Sequence, residues 1–516
     1  MRRRADEDGA DILLVDTGDR IEGNGLYDGS EPKGKYYFDI LEMQHIDLIC
    51  SGNHELYKAN SSNDELHKTV PAFKDNYLAS NLDIYNPDTN ELEPLAPRFK
   101  KFSTKNQGIR ILAFGFLFDF TDNANNTVVT PVENTIKQDW FQKAIRDRDV
   151  DLILVFGHVI IRSKEYDAIF KAIRAVQWDT PIAFLGGHSH IRDFKVYDSK
   201  AAALESGRYF ETIGFLSISG LNAPNASNAA ANPTFARRYI DNNLYSLYHH
   251  TNTTNITFPT QAGLNISTAI HTARKRLQLD QFRGCAPQPF YVHRAPYPSN
   301  TSIFTWLQTS VLPSQLQNER RAAHDGKKAL TLTNTGAMRF DIFEGPFTRD
   351  TELLVSPFTN EFRFLADVPW GVAKRVLTLL NNEGPVVGGL EEVGGGRRVL
   401  GPPEQRSGRV LDAPPLSLEV DGARSGLRAA EADQQPLLPV AAEVGGPTVG
   451  LTSISGLAIP RLTIWGTTVT IRCIRPSRFT VFRTAFKRLL GLILRSLLRR
   501  SIWFTTSSCS RGSCSR

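Results

Sequence analysis

Five apolar runs in the first part of the chain limit its fold more than any other feature of the sequence. Amphipathic stretches, such as residues 137–148 and 163–176, lie between them. Nearly continuous apolar strands that alternate with helices are typical of a sheet covered by helices on both faces. We therefore predict an α/β fold, with a layered α/β/α domain over residues 1–220. The runs are DILLVD (11–16), HIDLIC (45–50), IRILAFGFL (109–117), DLILVFG (151–157) and PIAFLGG (181–187).

The rest of the 516-residue chain divides into three parts of different character. Residues 221–290 begin with a stretch rich in Asn and Ala and contain several glycosylation sequons, which is typical of a linker or connecting region. Residues 291–383 predict a smaller α/β domain, with a helix near 302–317, a strand at 329–333 and a helix at 369–381. Residues 384–516 are rich in Gly, Pro and Arg without sustained periodicity, and they predict a low-complexity, disordered tail.

The charge distribution argues against nucleic acid as a partner of the folded part. The chain carries 60 Lys+Arg and 54 Asp+Glu, a net charge of +6. Residues 384–516 hold 18 of the basic and 9 of the acidic side chains, so the rest of the chain is slightly acidic. Within that tail, residues 486–504 (FKRLLGLILRSLLRRSIWF) fit a basic amphipathic helix in contact with a membrane surface. They are too short and too rich in arginine to span a membrane.

Seven Asn-X-Ser/Thr sequons indicate passage through the secretory route, where glycans are added. No apolar signal-peptide core precedes Asp11, so this prediction depends on the sequons alone. Five cysteines are spread too widely to predict a disulfide framework or a zinc cluster. The sequons begin at Asn60, Asn125, Asn225, Asn252, Asn255, Asn265 and Asn300.

Four of the apolar runs end in side chains of the kind that bind metal ions. Glycine lies beside each of these groups and allows the tight turns and close approaches that ligand sites need. One such group alone indicates only a polar turn. Because ligands bind at the carboxyl ends of strands in α/β sheets, four groups in the same context predict one shared site. The polar residues are Asp16, Asp19, Asn53, His54, His158, His188 and His190, and the glycines are Gly18, Gly52, Gly157 and Gly187.

The mixture of carboxylate, amide and imidazole groups predicts divalent Zn, Mn or Fe rather than Ca or Mg alone. A carboxylate at the centre of such a site bridges two ions roughly 3.5–4 Å apart in two-metal phosphatases. We therefore predict two divalent metal ions, together with a non-ligand histidine that supplies a proton or a positive charge. A zincin motif, which begins with the His54-Glu55 pair, is excluded because residue 58 is a lysine.

In their order and local sequence (GD, GNHE, GH and GHSH), the four groups resemble the motifs of the calcineurin-like metallophosphoesterases. Their spacing is most similar to that of the 5′-nucleotidase branch. Residues 334–342 (NTGAMRFDI) and 356–360 (SPFTN) are similar to the C-terminal substrate domain of that branch. The resemblance covers roughly residues 10–383. It implies a hydrolase that acts on small phosphomonoesters such as nucleotides through a hydroxide activated by two metal ions, and, with the sequons, a secreted or vacuolar protein.

The same resemblance implies a role for each predicted ligand. Asp19 would bridge the two ions. Asn53, His158 and His188 would complete the first metal site, and His190 would serve the second. These four motifs together would form one two-metal centre.

The resemblance also implies which residues would contact the substrate. His54 would be the catalytic histidine that faces the phosphate or the leaving group. Asn334 and Arg339 would hold the substrate, and Phe358 would stack on a base, because a planar guanidinium and an aromatic face suit phosphate and base recognition. A surface salt bridge for Arg339 and a core position for Phe358 remain the alternative interpretation.

Three departures from the family pattern bear on function. The family's first motif, Asp-X-His on a strand before Asp19, does not occur after Met1. The nucleotidase branch orients its catalytic histidine with an Asp three residues later, where this chain has Tyr57. A second stacking aromatic residue and its carboxylate would follow residue 383. These departures predict a chain truncated at its N-terminus and aberrant after about residue 383. They also keep open a second interpretation, a non-catalytic, glycosylated binding protein on a degenerate phosphoesterase scaffold.

Overall fold

The computed structural model describes residues 1–221, 233–312, 330–358, 365, 368–382, 440–443 and 469–470. Its helices and mixed sheets form the α/β fold predicted from the sequence. The described residues fall into two units, of which the first holds Met1–Tyr291 and Met338–Phe358. The second holds the described parts of Val292–Ala337, Thr359–Pro402 and Gln435–Arg516. The domain limits near residues 220, 290 and 383 stay a prediction.

Strands and helices alternate along most of the described chain. The strands are β1 (Val15–Asp16), β2 (Leu48–Ile49), β3 (Leu82–Tyr85), β4 (Leu92–Pro94), β5 (Phe99–Ser103), β6 (Arg110–Leu117), β7 (Thr127–Val129), β8 (Leu152–His158), β9 (Ile182–Gly186), β10 (Arg192–Asp198), β11 (Ala201–Ser206), β12 (Thr212–Ser219), β13 (Thr234–Asp241), β14 (Phe282–Ala286), β15 (Leu330–Thr333), β16 (Gly345–Thr348), β17 (Val440–Glu443) and β18 (Val469–Thr470). The helices are α1 (Arg2–Glu7), α2 (Gly25–Asp28), α3 (Tyr37–Glu42), α4 (Ala59–Asp64), α5 (Val70–Phe73), α6 (Val132–Thr135), α7 (Asp139–Ala144), α8 (Lys164–Arg174), α9 (Leu244–Thr251), α10 (Gln261–Arg276), α11 (Ile303–Trp306), α12 (Arg349–Val355) and α13 (Trp370–Asn382).

A six-stranded mixed sheet lies at the centre of the first unit, with the strand order β10-β11-β9-β8-β6-β5. Its four inner strands, β11, β9, β8 and β6, are parallel, and the two edge strands are antiparallel to their neighbours. Because the inner strands run in one direction, the segments that follow β8 and β9 leave the sheet at the same edge. His158 is the last residue of β8, and the segment after β9 carries His188 and His190.

The first two predicted strands are shorter than the apolar runs that indicated them. β1 and β2 have two residues each and pair in parallel. Ile49 of β2 bridges to Tyr77, and three residues later the backbone N–H of Ser80 donates a hydrogen bond of 2.7 Å to the carbonyl of Gly115 in β6. Residues 77–80 thus connect the short parallel pair to the central sheet.

Both faces of the central sheet are buried, which explains why its strands are nearly continuous apolar runs. Successive residues of β6 point to opposite faces. Phe114 packs in a cluster with Phe141 of α7 and Tyr166 of α8. Ala113, the residue before it, packs in a second cluster with Leu48 of β2. The predicted helices at 137–148 and 163–176 therefore form, in shortened versions, as the cover of one face.

Elements predicted for the second half of the chain are present where the residues are described. α11 continues as the π-helical stretch Leu307–Val311, and β15 and α13 occupy the predicted positions. β15 pairs antiparallel with β17 and with β18. The predicted amphipathic segment 486–504, and residues 222–232 of the predicted linker, lie outside the described residues. Within the described parts of the chain, no helix combines the length and the apolar character needed to cross a membrane.

Met338–Phe358 is held in the first unit by strand pairing and by a half-buried arginine. β16 pairs antiparallel with β14. The guanidinium of Arg349, at the start of α12, donates to the carbonyls of Leu277 at 2.6 Å and Gly29 at 3.0 Å. This segment therefore brings two of the predicted substrate residues into the unit that contains the predicted metal ligands.

Candidate active site

The loops that follow β1 and β2 touch each other through two glycines. Gly18 has a φ of +90°, and a Cβ on this residue would lie 2.2 Å from the backbone nitrogen of Gly52. A Cβ on Gly52 would lie 2.2 Å from Oδ1 of Asp19. Neither distance is compatible with a side chain, so both positions require glycine. This close approach explains the glycines that precede Asp19 and Asn53 in the sequence.

Glu55 fixes the backbone of both loops. Its buried carboxylate accepts hydrogen bonds from the N–H groups of Asp19 at 3.0 Å, Gly52 at 2.8 Å and Arg20 at 2.6 Å. Asp19 has a φ of +62°, a conformation that a non-glycine residue adopts only at an energetic cost. The three hydrogen bonds to Glu55 hold this conformation and thereby the direction of the Asp19 side chain.

Asp19, His158 and His188 form a compact cluster of potential metal ligands. Each offers one ligand atom, and these atoms lie within 4.8 Å of one another. Oδ2 of Asp19 is 2.9 Å from Nε2 of His158, and Nδ1 of His188 is 3.2 Å from the same nitrogen. The ring of His188 stacks on Phe118 with 4.2 Å between ring centroids, which fixes its plane. The strand ends that the sequence placed at one edge thus meet in space.

The tautomer of His158 shows which of its ring nitrogens is available to a metal ion. Its Nδ1 lies 2.9 Å from the carbonyl oxygen of Thr17, which can only accept a hydrogen bond, so Nδ1 carries a proton. Nε2 then lies 2.9 Å from Oδ2 of Asp19 and 3.2 Å from Nδ1 of His188. One cation could coordinate these three atoms together.

Asn53 supplies a further oxygen without a partner. The residue is 3% exposed, and its Nδ2 donates to the hydroxyl of Tyr57 at 2.9 Å. Its Oδ1 is buried and has no hydrogen-bond partner. An unsatisfied buried acceptor costs about 1–3 kcal/mol, which a bound cation would remove. The three clustered donors, one carboxylate and two imidazoles, fit a divalent Zn, Mn or Fe ion, and the amide oxygen of Asn53 stays a predicted further ligand.

The protonation states of Asp19 and His188 also suit metal binding. Burial raises the pKa of the Asp19 carboxyl, but the charges of His158 and His54 outweigh burial and hold this pKa well below its usual range. Burial lowers the pKa of His188 well below its usual value, and the neighbouring His158 lowers it further. At neutral pH Asp19 is therefore ionised and His188 neutral, the forms in which these residues bind metal ions.

His54 lies beside the cluster and is held by a carboxylate from the first loop. Its Nδ1 is 2.8 Å from Oε2 of Glu22, and the other oxygen of Glu22 is 2.9 Å from Nζ of Lys58. Burial raises the pKa of Glu22, but the hydrogen bond and charge of His54 and the charge of Lys58 bring it down to about 2. The Nε2 atom of His54 is 3.8 Å from Oδ2 of Asp19. His54 therefore directs Nε2 towards the cluster.

Arg339 and Phe358 reach His54 from the segment that contains α12. Nη2 of Arg339 is 3.2 Å from Nε2 of His54. The ring of Phe358 lies 6.0 Å from the ring of His54 at an interplanar angle of 25°, and Cζ of Arg339 is 5.4 Å from the centroid of Phe358. The structure thus places both residues beside the histidine, and their roles stay predictions.

Two further predicted residues lie in different units, His190 in the first and Asn334 in the second. His190 has a φ of +62°, and its ring centroid is 5.4 Å from that of Tyr209. It does not belong to the ligand cluster found in the described part of the chain. Asn334 lies in the second unit, between β15 and the short turn Thr335–Ala337. The roles of His190 and Asn334 also stay predictions.

A buried ionic network lies behind the two loops. The guanidinium of Arg20, whose side chain is 6% exposed, donates to Oδ1 of Asp16 at 2.9 Å, to Oε2 of Glu65 at 2.7 Å and to the carbonyl of Cys50 at 2.6 Å. Glu65 also accepts hydrogen bonds from Tyr77 and Thr69. Arg20 therefore links the two loops to the π-helical turn that contains Glu65.

Sequence analysis missed Glu22, Glu55 and Arg20. Glu55 stands inside the GNHE motif, where its position next to His54 was the available signal. Glu22 and Arg20 lie three residues and one residue from Asp19, but Glu22 reaches His54 across 32 residues and Arg20 reaches Glu65 across 45. Such contacts depend on how the loops meet and leave no local pattern.

Comparisons with known proteins define the family. A family model for calcineurin-like phosphoesterases matches residues 1–192, and a model for the C-terminal domain of NAD nucleotidase matches residues 289–434. A solved 5′-nucleotidase of Candida albicans SC5314 is 32% identical, with a TM-score of 0.73 over 98% of this chain and 88% of that chain. The chain therefore belongs to the calcineurin-like phosphoesterases and carries a C-terminal domain of the 5′-nucleotidase type, which confirms the resemblance seen in the sequence.

Curated relatives are fungal. An uncharacterized protein of Schizosaccharomyces pombe is 41% identical over 403 residues, which is 74% of this chain and 66% of that protein. A protein of Arthroderma benhamiae named as secreted is 36% identical over 421 residues, 75% of this chain and 62% of that protein. The chain thus spans less than two thirds of the length of these relatives. A solved 5′-nucleotidase precursor of Thermus thermophilus, 17% identical with a TM-score of 0.51 over 73% of this chain and 70% of that chain, shares the fold.

Proposed function

We propose that this protein is a metal-dependent phosphomonoesterase of the 5′-nucleotidase type that acts on small phosphoesters, nucleotides among them. The observation that carries the proposal is the cluster of Asp19, His158 and His188, which directly adjoins His54. The activity named for the Candida albicans relative supports the substrate class.

In this proposal two divalent ions occupy the centre. Asp19, Asn53, His158 and His188 would hold the first, and Asp19 and His190 would contribute to the second. When bound, such ions polarise a phosphoryl oxygen and lower the pKa of a coordinated water. The donor types favour Zn, Mn or Fe.

The remaining residues would bind the substrate and move a proton. Nη2 of Arg339 and Nε2 of His54 are 3.2 Å apart, so one phosphoryl oxygen could accept hydrogen bonds from both groups. Arg339 would neutralise charge on the phosphoryl group, and His54 would donate a proton from Nε2 to the leaving oxygen. The face of Phe358 beside Arg339 would offer a base a flat apolar surface.

The experiment that tests the proposal combines metal analysis with an activity assay. The full chain is purified, stripped of metal, reloaded with Zn or Mn, and analysed by inductively coupled plasma mass spectrometry. Phosphate release is then measured from adenosine monophosphate and p-nitrophenyl phosphate. We expect metal-dependent release from both substrates. Metal binding without turnover would instead support the second interpretation, a non-catalytic binding protein.

His158→Asn is expected to reduce metal content and to lower turnover by at least about 100-fold, because even groups that only support metal ligands contribute 10- to 100-fold. The matched control is His67→Asn, which makes the same change at an exposed position. The control is expected to keep metal content and turnover. Equal turnover in the two variants would contradict the assignment of His158 as a ligand.

We also propose that the protein follows the secretory route and is glycosylated, as a secreted or vacuolar protein. Six of the seven sequon asparagines are exposed in the structure, and Asn225 lies outside the described residues. Endoglycosidase H is expected to lower the apparent mass of the protein isolated from its own organism. Asn265→Gln should reduce this mass shift by the mass of one glycan, since Asn265 is exposed in α10. An unchanged mass would contradict glycosylation.

A further inference from the structure

We propose that Glu22 is the residue that sets the tautomer and the ring orientation of His54 for proton transfer. The inference rests on the proposed function, because it gives Glu22 a positioning role in that same reaction. It assigns to the first loop a part of the machinery that the family pattern places three residues after the histidine, where this chain has Tyr57.

The two ring nitrogens of His54 have different contacts and therefore different roles. Nδ1 is 2.8 Å from Oε2 of Glu22, a carboxylate that can only accept, so Nδ1 carries a proton. The opposite nitrogen, Nε2, then faces Asp19 and Arg339 and is the atom available for proton transfer. The carboxylate of Glu22 therefore fixes which ring nitrogen faces the cluster.

Packing restrains the plane of the ring as well. The ring of Tyr57 meets that of His54 edge-on, with 5.2 Å between centroids and an interplanar angle of 89°. The ring of Phe358 lies nearly parallel on another side. The rings of Tyr57 and Phe358 therefore restrain the plane of the His54 ring, and the Glu22 hydrogen bond fixes its rotation within that plane.

Glu22 is itself held at both oxygens and buried. Its side chain is 8% exposed, and Nζ of Lys58 lies 2.9 Å from Oε1. Glu22 has a φ of +62°, a conformation that a residue with a Cβ adopts only at an energetic cost. Backbone strain of this kind persists where the surrounding structure requires it, often at functional sites. Here it delivers the carboxylate to His54.

Tyr57 does not provide this interaction. Its hydroxyl accepts a hydrogen bond from Nδ2 of Asn53 at 2.9 Å, which orients the amide whose Oδ1 is the predicted metal ligand. A neutral hydroxyl also stabilises an imidazolium less than a carboxylate does. The carboxylate that contacts His54 thus comes from Glu22 in the first loop. Tyr57, three residues after His54, accepts a hydrogen bond from Asn53 instead.

Two substrates with different leaving groups test the role. Glu22→Gln keeps the shape of the side chain and removes its charge. We expect kcat for adenosine monophosphate, whose alkoxide leaving group needs a proton, to fall by about 10- to 100-fold with little change in KM. We expect kcat for p-nitrophenyl phosphate, whose leaving group departs without a proton, to fall less than about 3-fold, because it gains little from general acid catalysis. Glu133→Gln, at an exposed position, is the matched control.

The outcomes separate this inference from the function on which it rests. A wild-type protein that hydrolyses neither substrate would overturn both. An active wild type with an equal loss for the two substrates, or with no loss, would overturn the role of Glu22 alone. A second readout is independent of activity: long-range ¹H–¹⁵N spectra of histidine-labelled protein, with His54→Asn for assignment, should show His54 protonated at Nδ1 in the wild type. Retention of that tautomer in Glu22→Ala would also overturn the proposal.

Discussion

Asp19→Asn is expected to lower phosphate release by about 1,000-fold or more and to abolish binding of metal ions in the centre. Asp19 is the only carboxylate in the cluster found among the described residues, and its Oδ2 lies closest to His158. The substitution keeps an oxygen that can accept the N–H of His54, which now bonds Oδ1 at 2.9 Å. It removes the negative charge on which a divalent cation depends, and electrostatic groups of this kind contribute 10²- to 10³-fold each.

The measurement is metal stoichiometry together with kcat for adenosine monophosphate. Asp88→Asn, the same change at an exposed turn, serves as the control and should resemble the wild type. Circular dichroism of both variants checks that they are folded. An Asp19→Asn protein with full metal content and wild-type turnover would show that Asp19 is not the central ligand.

Arg20→Met is expected to reduce the free energy of unfolding by about 3–5 kcal/mol at pH 7.5, since removal of one partner leaves buried charges without compensation. Methionine fills much of the arginine volume, so the loss is electrostatic rather than a cavity. Glu65, 1% exposed, would lose its cation at 2.7 Å, and Glu55, fully buried, would lose one at 3.9 Å.

The loss should depend on pH in a defined direction. Burial already raises the pKa of Glu65 above its usual value, and the charge of Arg20 opposes this rise. Without Arg20 the pKa of Glu65 rises further, so the folded variant binds a proton that the unfolded chain binds only at lower pH. The destabilisation is then largest above the pKa of folded Glu65 and decreases as the pH falls through it.

Urea unfolding at pH 7.5 and pH 5.5 measures both quantities. Arg3→Met, with a side chain 82% exposed, is the control and should change the free energy of unfolding by less than about 0.5 kcal/mol. The double variant Arg20→Met/Glu65→Gln should recover part of the loss, because it removes the uncompensated charge. A loss below about 1 kcal/mol for Arg20→Met at pH 7.5 would mean that the network contributes little to stability.

The cluster of Asp19, His158 and His188 could be located from the sequence because its residues stand at or near the ends of strands. His158 is the last residue of β8, and His188 lies two residues after the end of β9. These strands are parallel neighbours, so a prediction of strands and of their direction was enough to place the two histidines together. Asp19 and Asn53 were predicted for the same reason, although β1 and β2 have only two residues each. This short parallel pair is enough to hold the loops that carry Asp19 and Asn53, because residues 77–80 connect the pair to the central sheet.

The residues that hold His54 and the two loops in place could not be predicted in the same way. The sequence indicated only that Tyr57 replaces an expected carboxylate, because the family pattern specifies a spacing along the chain. Glu22 reaches His54 across 32 residues, and Arg20 reaches Glu65 across 45. These pairs depend on positive φ angles and on loop contact, neither of which produces a periodic signal in the sequence.

The division of the chain has a consequence for its evolution. The unit that holds the predicted metal ligands also includes Met338–Phe358, and with it Arg339 and Phe358. In the sequence this segment comes after Val292–Ala337, which belongs to the other unit. A gene fragment that ends near residue 291 would encode the ligand cluster without either residue. Exchange of this module between genes would therefore need two crossovers that carry both pieces, and a single fusion point would transmit the cluster of Asp19, His158 and His188 without Arg339 and Phe358.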